Sequence, residues 1–283
     1  MAGLSALRRT LTTRLLHAGI DEAEEEVRRL ILALEGMSAS RLITDPDYEL
    51  DADNLARLEC WIKRREAREP LSQILGCQAF WTLDLKVTRD VLTPRADSEA
   101  LIEAALKRRP DRVPAYRFLD LGTGSGALIL ALLSEYPKAT GVGVDLSPEA
   151  LAVARENMRL TGLEARCEMR QGCWADGLSG PFDLIISNPP YIAHEVIASL
   201  DPEVRDFEPH LALDGGADGL DPYPHLFREA RRLLAPKGVG VYEIGYDQGA
   251  RAQEIAHQAG FQDVEIVKDL GGRDRAIAFS QAH

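Results

Sequence analysis

The sequence predicts an α/β protein in which a mainly parallel sheet follows a small helical bundle, and three stretches carry that reading. The run Phe118-Leu119-Asp120-Leu121 passes into Gly122-Thr123-Gly124-Ser125-Gly126 and then into an apolar stretch from Ala127 to Leu133. This is the pattern of strand, glycine loop and helix. A second strand, Gly141-Val142-Gly143-Val144, ends on Asp145, after which Ser147-Pro148 caps and opens a helix. A third strand-like run, Phe182 to Ser187, leads into Asn188-Pro189-Pro190-Tyr191. Strands alternating with helices from Asp97 onward imply a parallel sheet with right-handed crossovers. Val239 to Ile244 reads as a later central strand.

The elements before Asp97 are of another kind. Leu4, Leu7, Leu11 and Leu15 recur at three and four residues, which is an amphipathic helix. The first 20 residues hold Arg8, Arg9, Arg14 and His17 and no acid, a composition that organellar transit peptides share. Asp21 is placed to cap a second helix with Val27, Leu30, Ile31 and Leu34 on one stripe and Gly36 as its stop. A third helix runs from about Asp51 to Arg68 with Leu55, Leu58, Trp61 and Ile62 inward, and Lys63, Arg64, Arg65 and Arg68 are expected on its solvated face. Gln78 to Val91 reads as a β-hairpin, with Phe80, Leu83 and Leu85 as its strand pattern and Pro94 ending it. The expected division is therefore a helical domain over 1–75, a hairpin connector over 76–96 and an α/β domain over 97–283.

Composition narrows the function. At 283 residues and 45% hydrophobic content, the chain can bury one sizeable core and a smaller second one. The net charge of −12 disfavours wrapping a nucleic-acid phosphate backbone. Cys60, Cys77, Cys167 and Cys173 show no C-x-x-C pairing and the six histidines are scattered, so neither a disulfide framework nor a metal site is suggested. No window of about 18 apolar residues exists.

The chemistry is concentrated at strand ends. Two successive prolines stiffen the loop after the third strand and leave the Asn188 side-chain oxygen and the Pro189 carbonyl as fixed acceptors. Two acceptors are what a planar NH2 group requires, and Tyr191 could lie against its plane. The plainer alternative is a rigid turn. Upstream, the glycines let a backbone approach a ligand closely and the helix N-terminus offers unpaired N–H donors. Asp145 stands where doubly wound sheets place an acid for ribose hydroxyls. The spacing G-x-G-x-G rather than G-x-G-x-x-G favours a single nucleoside-like ligand over a dinucleotide. Strand ends near Asp120, Asp145, Gln171 and Asn188 bring these groups to one edge of the sheet.

Asp120 to Gly126, Asp145 and Asn188 to Tyr191 resemble the amino-group methyltransferases that use S-adenosylmethionine, and among them the release factor glutamine methyltransferases. The resemblance extends to Pro94-Arg95-Ala96-Asp97-Ser98-Glu99, Glu203 to Pro209, Gly215 to Leu220, Glu243-Ile244-Gly245 and Gly272 to Arg275, and so covers essentially the whole chain. It implies a Rossmann-like seven-stranded sheet with its last strand antiparallel. It also implies transfer of a methyl group from S-adenosylmethionine to the side-chain amide of the glutamine in the Gly-Gly-Gln motif of peptide chain release factors, with S-adenosylhomocysteine as product. Cofactor contacts are then expected from Gly122, Thr123, Gly124, Ser125, Gly126, Asp145, Trp174 and Asn188. Substrate contacts are expected from Asn188, Pro189, Pro190 and Tyr191, with Asn188, Pro189 and Tyr191 carrying the catalysis. A cytoplasmic monomer without metal or bound nucleic acid is expected, with residues 1–75 choosing the protein substrate. Two positions depart from the family's usual pattern: Cys173 stands where an acid usually precedes Trp174, and Ser98 where Thr is usual. The competing activity is methylation of adenine N6 or cytosine N4 in DNA, for which the same clamp would hold a flipped base. A third possibility is a catalytically silent scaffold.

Overall fold

Leucines spaced to one face of each segment make the first part of the chain a helical bundle. The computed structural model describes residues 3–281. Its helices Leu4–His17, Ala23–Leu32, Ala39–Thr44, Ala52–Glu66 and Leu71–Leu75 pack around Leu11, Leu15, Val27, Leu30, Ile31, Leu58 and Ile62. Asp51 caps the helix Ala52–Glu66 by accepting from the Asn54 N–H at 2.8 Å. Asp21 does not cap as expected. The second helix starts at Ala23 with Glu22 at its N-cap and no side-chain cap, because the buried stripe begins at Ala23. Glu24, Glu25 and Glu26 in its first turn complement the helix dipole instead.

Lys63 is exposed and Arg64 partly so, as periodicity suggests, but Arg65 does not join that solvated face. Arg65 is only 5% exposed; its Nε donates to Glu26 at 2.6 Å and its Nη1 to Glu203 at 2.9 Å. Arg68 also reaches Glu203, at 2.7 Å. Two carboxylates make a buried guanidinium tolerable, and the second comes from far along the sequence. The residues as far as Gly76 therefore form one unit together with Asp201–Phe207, whereas Cys77–Leu200 and Glu208 onward form the other. Within the first unit Gln73 Nε2 also donates to the Phe207 carbonyl, at 3.1 Å.

The second unit opens with an antiparallel hairpin, β1 (Cys77–Phe80) and β2 (Leu83–Lys86), whose Phe80 and Leu85 are buried. The sheet that follows comprises β3 (Arg117–Leu121), β4 (Thr140–Asp145), β5 (Cys167–Gln171), β6 (Phe182–Ser187), β7 (Leu234–Glu243), β8 (Asp263–Lys268) and β9 (Asp274–Ser280). Its order is β5-β4-β3-β6-β7-β9-β8, parallel from β5 through β7, with β9 antiparallel to both neighbours. Successive residues face opposite sides of a strand, so Phe118, Leu184, Ile186, Val239 and Val241 pack with helices Glu99–Arg108 and Ala127–Glu135. Leu119, Leu121, Ile185 and Tyr242 pack with helix Pro222–Leu233 and the helix that follows β7. Of the described residues, no helix is long and apolar enough to cross a membrane.

This strand order positions the site. From β3 the chain builds outward to β4 and β5, then returns to the other side of β3 with β6. The helices after β3 and β6 thus diverge to opposite faces, and a crevice opens at the carboxyl ends of these strands.

Candidate active site

That crevice is a cavity of about 810 Å³ lying wholly within the second unit. Gly122, Thr123, Gly124 and Ser125 form one wall, whereas Gly126, expected to touch the cofactor, does not line the cavity and faces Leu130, Met169 and Ala154. Gly122 and Gly124 adopt φ of +73° and +54°, where a side chain would be strained, and a Cβ on Gly124 would meet no atom within 4 Å. The bare backbone consequently faces open space. Thr123 and Ser125 are buried beneath it, and the Thr123 hydroxyl donates to Asp120 Oδ2 at 2.6 Å. Asp120 is fully buried, and burial raises its pKa to about 7, with the Asp145 charge adding to the effect and Thr123 opposing it.

Asp145 at the end of β4 holds the loop as well as facing the cavity. Its Oδ2 accepts from the Gly124 N–H at 2.8 Å and its Oδ1 from the Ser147 N–H at 2.9 Å. Ser147 caps the helix Pro148–Leu160 by accepting from the Ala150 N–H at 3.0 Å. Asn157 on that helix, fully buried, donates to the Ser125 carbonyl at 2.9 Å and both accepts from and donates to the backbone of Lys86. It joins the glycine loop to the hairpin, a role that no local pattern announced.

Across the cavity lies the loop after β6. Asn188 and Pro190 line the cavity; Pro189 is buried behind them and Tyr191 turns its hydroxyl away, donating to Glu243 Oε1 at 3.1 Å. The carbonyl of Tyr191 accepts from Gln248 Nε2 at 2.9 Å, and Ser187 Oγ donates to the Leu121 carbonyl at 2.6 Å. The glycines of the Gly215–Leu220 stretch press on the loop from behind: a Cβ on Gly219 would lie 2.3 Å from the Tyr191 oxygen and one on Gly215 2.8 Å from the Pro190 oxygen. Their place in the sequence gave a glycine cluster without a partner; the fold supplies one.

Trp174 and Cys173, after β5, line the cavity next to Asp145. Trp174 takes φ +51°, and its ring would be 3.6 Å from a Cβ on Gly122. The flat indole beside an open glycine backbone, an acid at the end of β4 and a helix N-terminus together fit an S-adenosylmethionine of adenine, ribose and amino-acid parts. Arg95 closes another side of the cavity through Glu208, 2.9 Å away, whose own pKa is raised by burial.

Comparison with known proteins agrees with this arrangement. A family described as a methyltransferase domain matches residues 113–246, and one described as the PrmC N-terminal domain matches residues 6–76. A release factor glutamine methyltransferase of Caulobacter vibrioides is 46% identical, with 93% of this chain and 91% of that protein covered. One of Rhodospirillum rubrum is 44% identical over 93% and 81%, and one of Vibrio cholerae 38% over 96% and 94%. In fold, the chain is similar to a methyltransferase structure from Pyrococcus furiosus, with a TM-score of 0.54, 17% identity, and 82% of this chain and all of that one covered. Identity at this level across nearly the full length, including the helical part, shows that the chain belongs to the release factor glutamine methyltransferase family.

Proposed function

We propose that the chain transfers the methyl group of S-adenosylmethionine to the side-chain amide nitrogen, N5, of the glutamine in the Gly-Gly-Gln motif of peptide chain release factors. Asn188 and the glycine loop with Asp145 open onto one cavity, and this observation carries the reading. In it, Gly122 to Ser125 and Asp145 hold the cofactor, with Trp174 against its adenine. The bound cofactor supplies a sulfonium methyl that is already strongly electrophilic. What the protein contributes is position. Asn188 Oδ1 and the Pro189 carbonyl accept the two N–H bonds of the amide and turn its nitrogen toward the methyl. As positive charge develops on nitrogen both bonds strengthen, so they stabilise the transition state more than the ground state. No base need act first, since the alkylated nitrogen loses its proton readily afterwards.

The helical unit, in this reading, recognises the body of the factor and takes no part in the chemistry. A glutamine in an exposed loop offers too little surface for discrimination by itself. We place the enzyme in the cytoplasm as a monomer without bound nucleic acid; the family membership and the acidic charge leave the DNA-directed alternative without support. The test is mass analysis of a purified release factor incubated with enzyme and cofactor. A gain of one methyl group on the Gly-Gly-Gln peptide is expected, and an unmodified factor would overturn the reading.

A further inference from the structure

The groups behind Asn188 form a chain that ends on a buried carboxylate. Asn188 Nδ2 lies 3.4 Å from Ser98 Oγ, Ser98 Oγ lies 2.5 Å from Glu243 Oε2, and Tyr191 Oη lies 3.1 Å from Glu243 Oε1. Glu243 at the end of β7 is 2% exposed and Ser98 is 5% exposed. Tyr223, fully buried, fixes the strand end by donating to the Glu243 carbonyl at 2.8 Å. Neither Ser98 nor Glu243 was given a role by the sequence, where they stand 145 residues apart.

We propose that Ser98 and Glu243 are positioning residues that fix which end of the Asn188 amide faces the substrate. The argument is a count of hydrogens. An ionised carboxylate only accepts, so Ser98 must direct its single hydrogen to Glu243 and Tyr191 must do the same. Ser98 Oγ then has only lone pairs to offer Asn188, so Asn188 must present its NH2 to Ser98. Its Oδ1 is thereby left for the cavity, where a substrate N–H would meet an acceptor. The two orientations of an asparagine amide are nearly equal in shape, and the hydrogen-bond network is what separates them. The opposite orientation would set NH2 against NH2. This inference rests on the reading of Asn188 as the amide clamp.

The polarity of the chain depends on one proton. A protonated Glu243 can donate to Ser98, which frees the Ser98 hydrogen for Asn188 Oδ1 and permits the unproductive orientation. Burial raises the Glu243 pKa, opposed by the bonds from Ser98 and Tyr191 and by the charges of Arg275 on β9 and Arg95 before the Ala96–Ser98 turn; Tyr223 from the helix above is the other titratable neighbour. Arg275 is itself held by Asp97 at 3.1 Å and Asp269 at 3.2 Å. Turnover is therefore lost as pH falls through a midpoint above the usual glutamate range.

The test compares the full-length wild type, Ser98→Ala, Ser98→Thr and Glu243→Gln as holoenzymes, with single-turnover methylation of release factor at saturating cofactor across pH. Ser98→Ala should lower the rate about tenfold, the worth of one orienting hydrogen bond, with cofactor Kd and factor KM unchanged. Ser98→Thr, which keeps the hydroxyl, should restore the rate to within threefold of wild type. The acidic limb of the wild-type profile should vanish in Glu243→Gln. A wild-type profile without that limb, an unchanged limb in Glu243→Gln, or Ser98→Ala within threefold of wild type would each overturn the inference. Failure of the wild type to methylate at all would overturn the clamp reading instead.

Discussion

Replacing Asp145 with alanine should weaken cofactor binding without unfolding the protein. The carboxylate accepts from Gly124 N–H at 2.8 Å and Ser147 N–H at 2.9 Å, and in the proposed complex it also accepts from ribose. Hydrogen bonds to a charged group contribute about 1.5–3 kcal/mol each. The two backbone donors border an open cavity where water can take over, so their loss should cost the cofactor-free protein only about 1 kcal/mol apiece. The ribose bonds have no such substitute once the ligand fills the site. The full value of even one such bond corresponds to a Kd raised by roughly tenfold to a hundredfold. S-adenosylmethionine and S-adenosylhomocysteine carry the same ribose and should weaken alike. Asp145→Asn, which keeps one neutral acceptor, should fall between. Titration calorimetry of the three proteins with both ligands is the measurement; an Asp145→Ala protein that binds within threefold of wild type refutes the ribose assignment.

Asn188→Ala should keep the fold and lower single-turnover methylation by about a hundredfold or more, the scale set by one preorganised contact to a transition state; near-normal rates would make the loop only a turn. Arg65→Ala leaves Glu26 and part of Glu203 facing a buried void and should destabilise the helical unit by about 3–5 kcal/mol, read as loss of its thermal transition. Asp120 titrates near 7 folded and near 3.8 unfolded, so the folded state binds the extra proton between those values and stability falls as pH rises from about 4 to 7. Denaturant melts across that range should show a shallower decline in Asp120→Asn than in wild type, the remainder coming from the other buried carboxyls, Glu208 and Glu243. A synthetic Gly-Gly-Gln peptide should be methylated with a kcat/KM at least about a hundredfold below that of intact factor, and equality would remove the recognition role of the helical unit.

What the sequence made legible, and what it hid, follow from the range of the forces involved. Gly122 to Gly126, Asp145 and Ser147-Pro148 are dictated by local backbone geometry, so residue type and spacing carried their meaning directly. The same holds for the alternation that gave β3, β4 and β6. Glu243 and Ser98 could be matched to the family's pattern but not interpreted, because their meaning lies in a 2.5 Å contact between segments far apart in the chain. Arg65 misled for a related reason. In a run of Lys63, Arg64 and Arg65 helical periodicity places it outward, and it is pairing with Glu26 and with the distant Glu203 together that makes its burial tolerable. Tyr191 sits in the expected loop, yet its hydroxyl serves Glu243 and the ring does not line the cavity.

The heptapeptide Asp201–Phe207 bears on how this protein can be cut and recombined. It belongs to the helical unit, although the chain on either side of it, through Leu200 and from Glu208, belongs to the other. A protease nick between Gly76 and Cys77 should therefore leave two pieces that still travel together, clasped by Arg65 and Arg68 on Glu203. The helical unit is likewise not a contiguous cassette. A chimera that exchanges it with that of another family member must carry the heptapeptide along, or set a foreign glutamate partner against guanidinium groups that were never shaped for it.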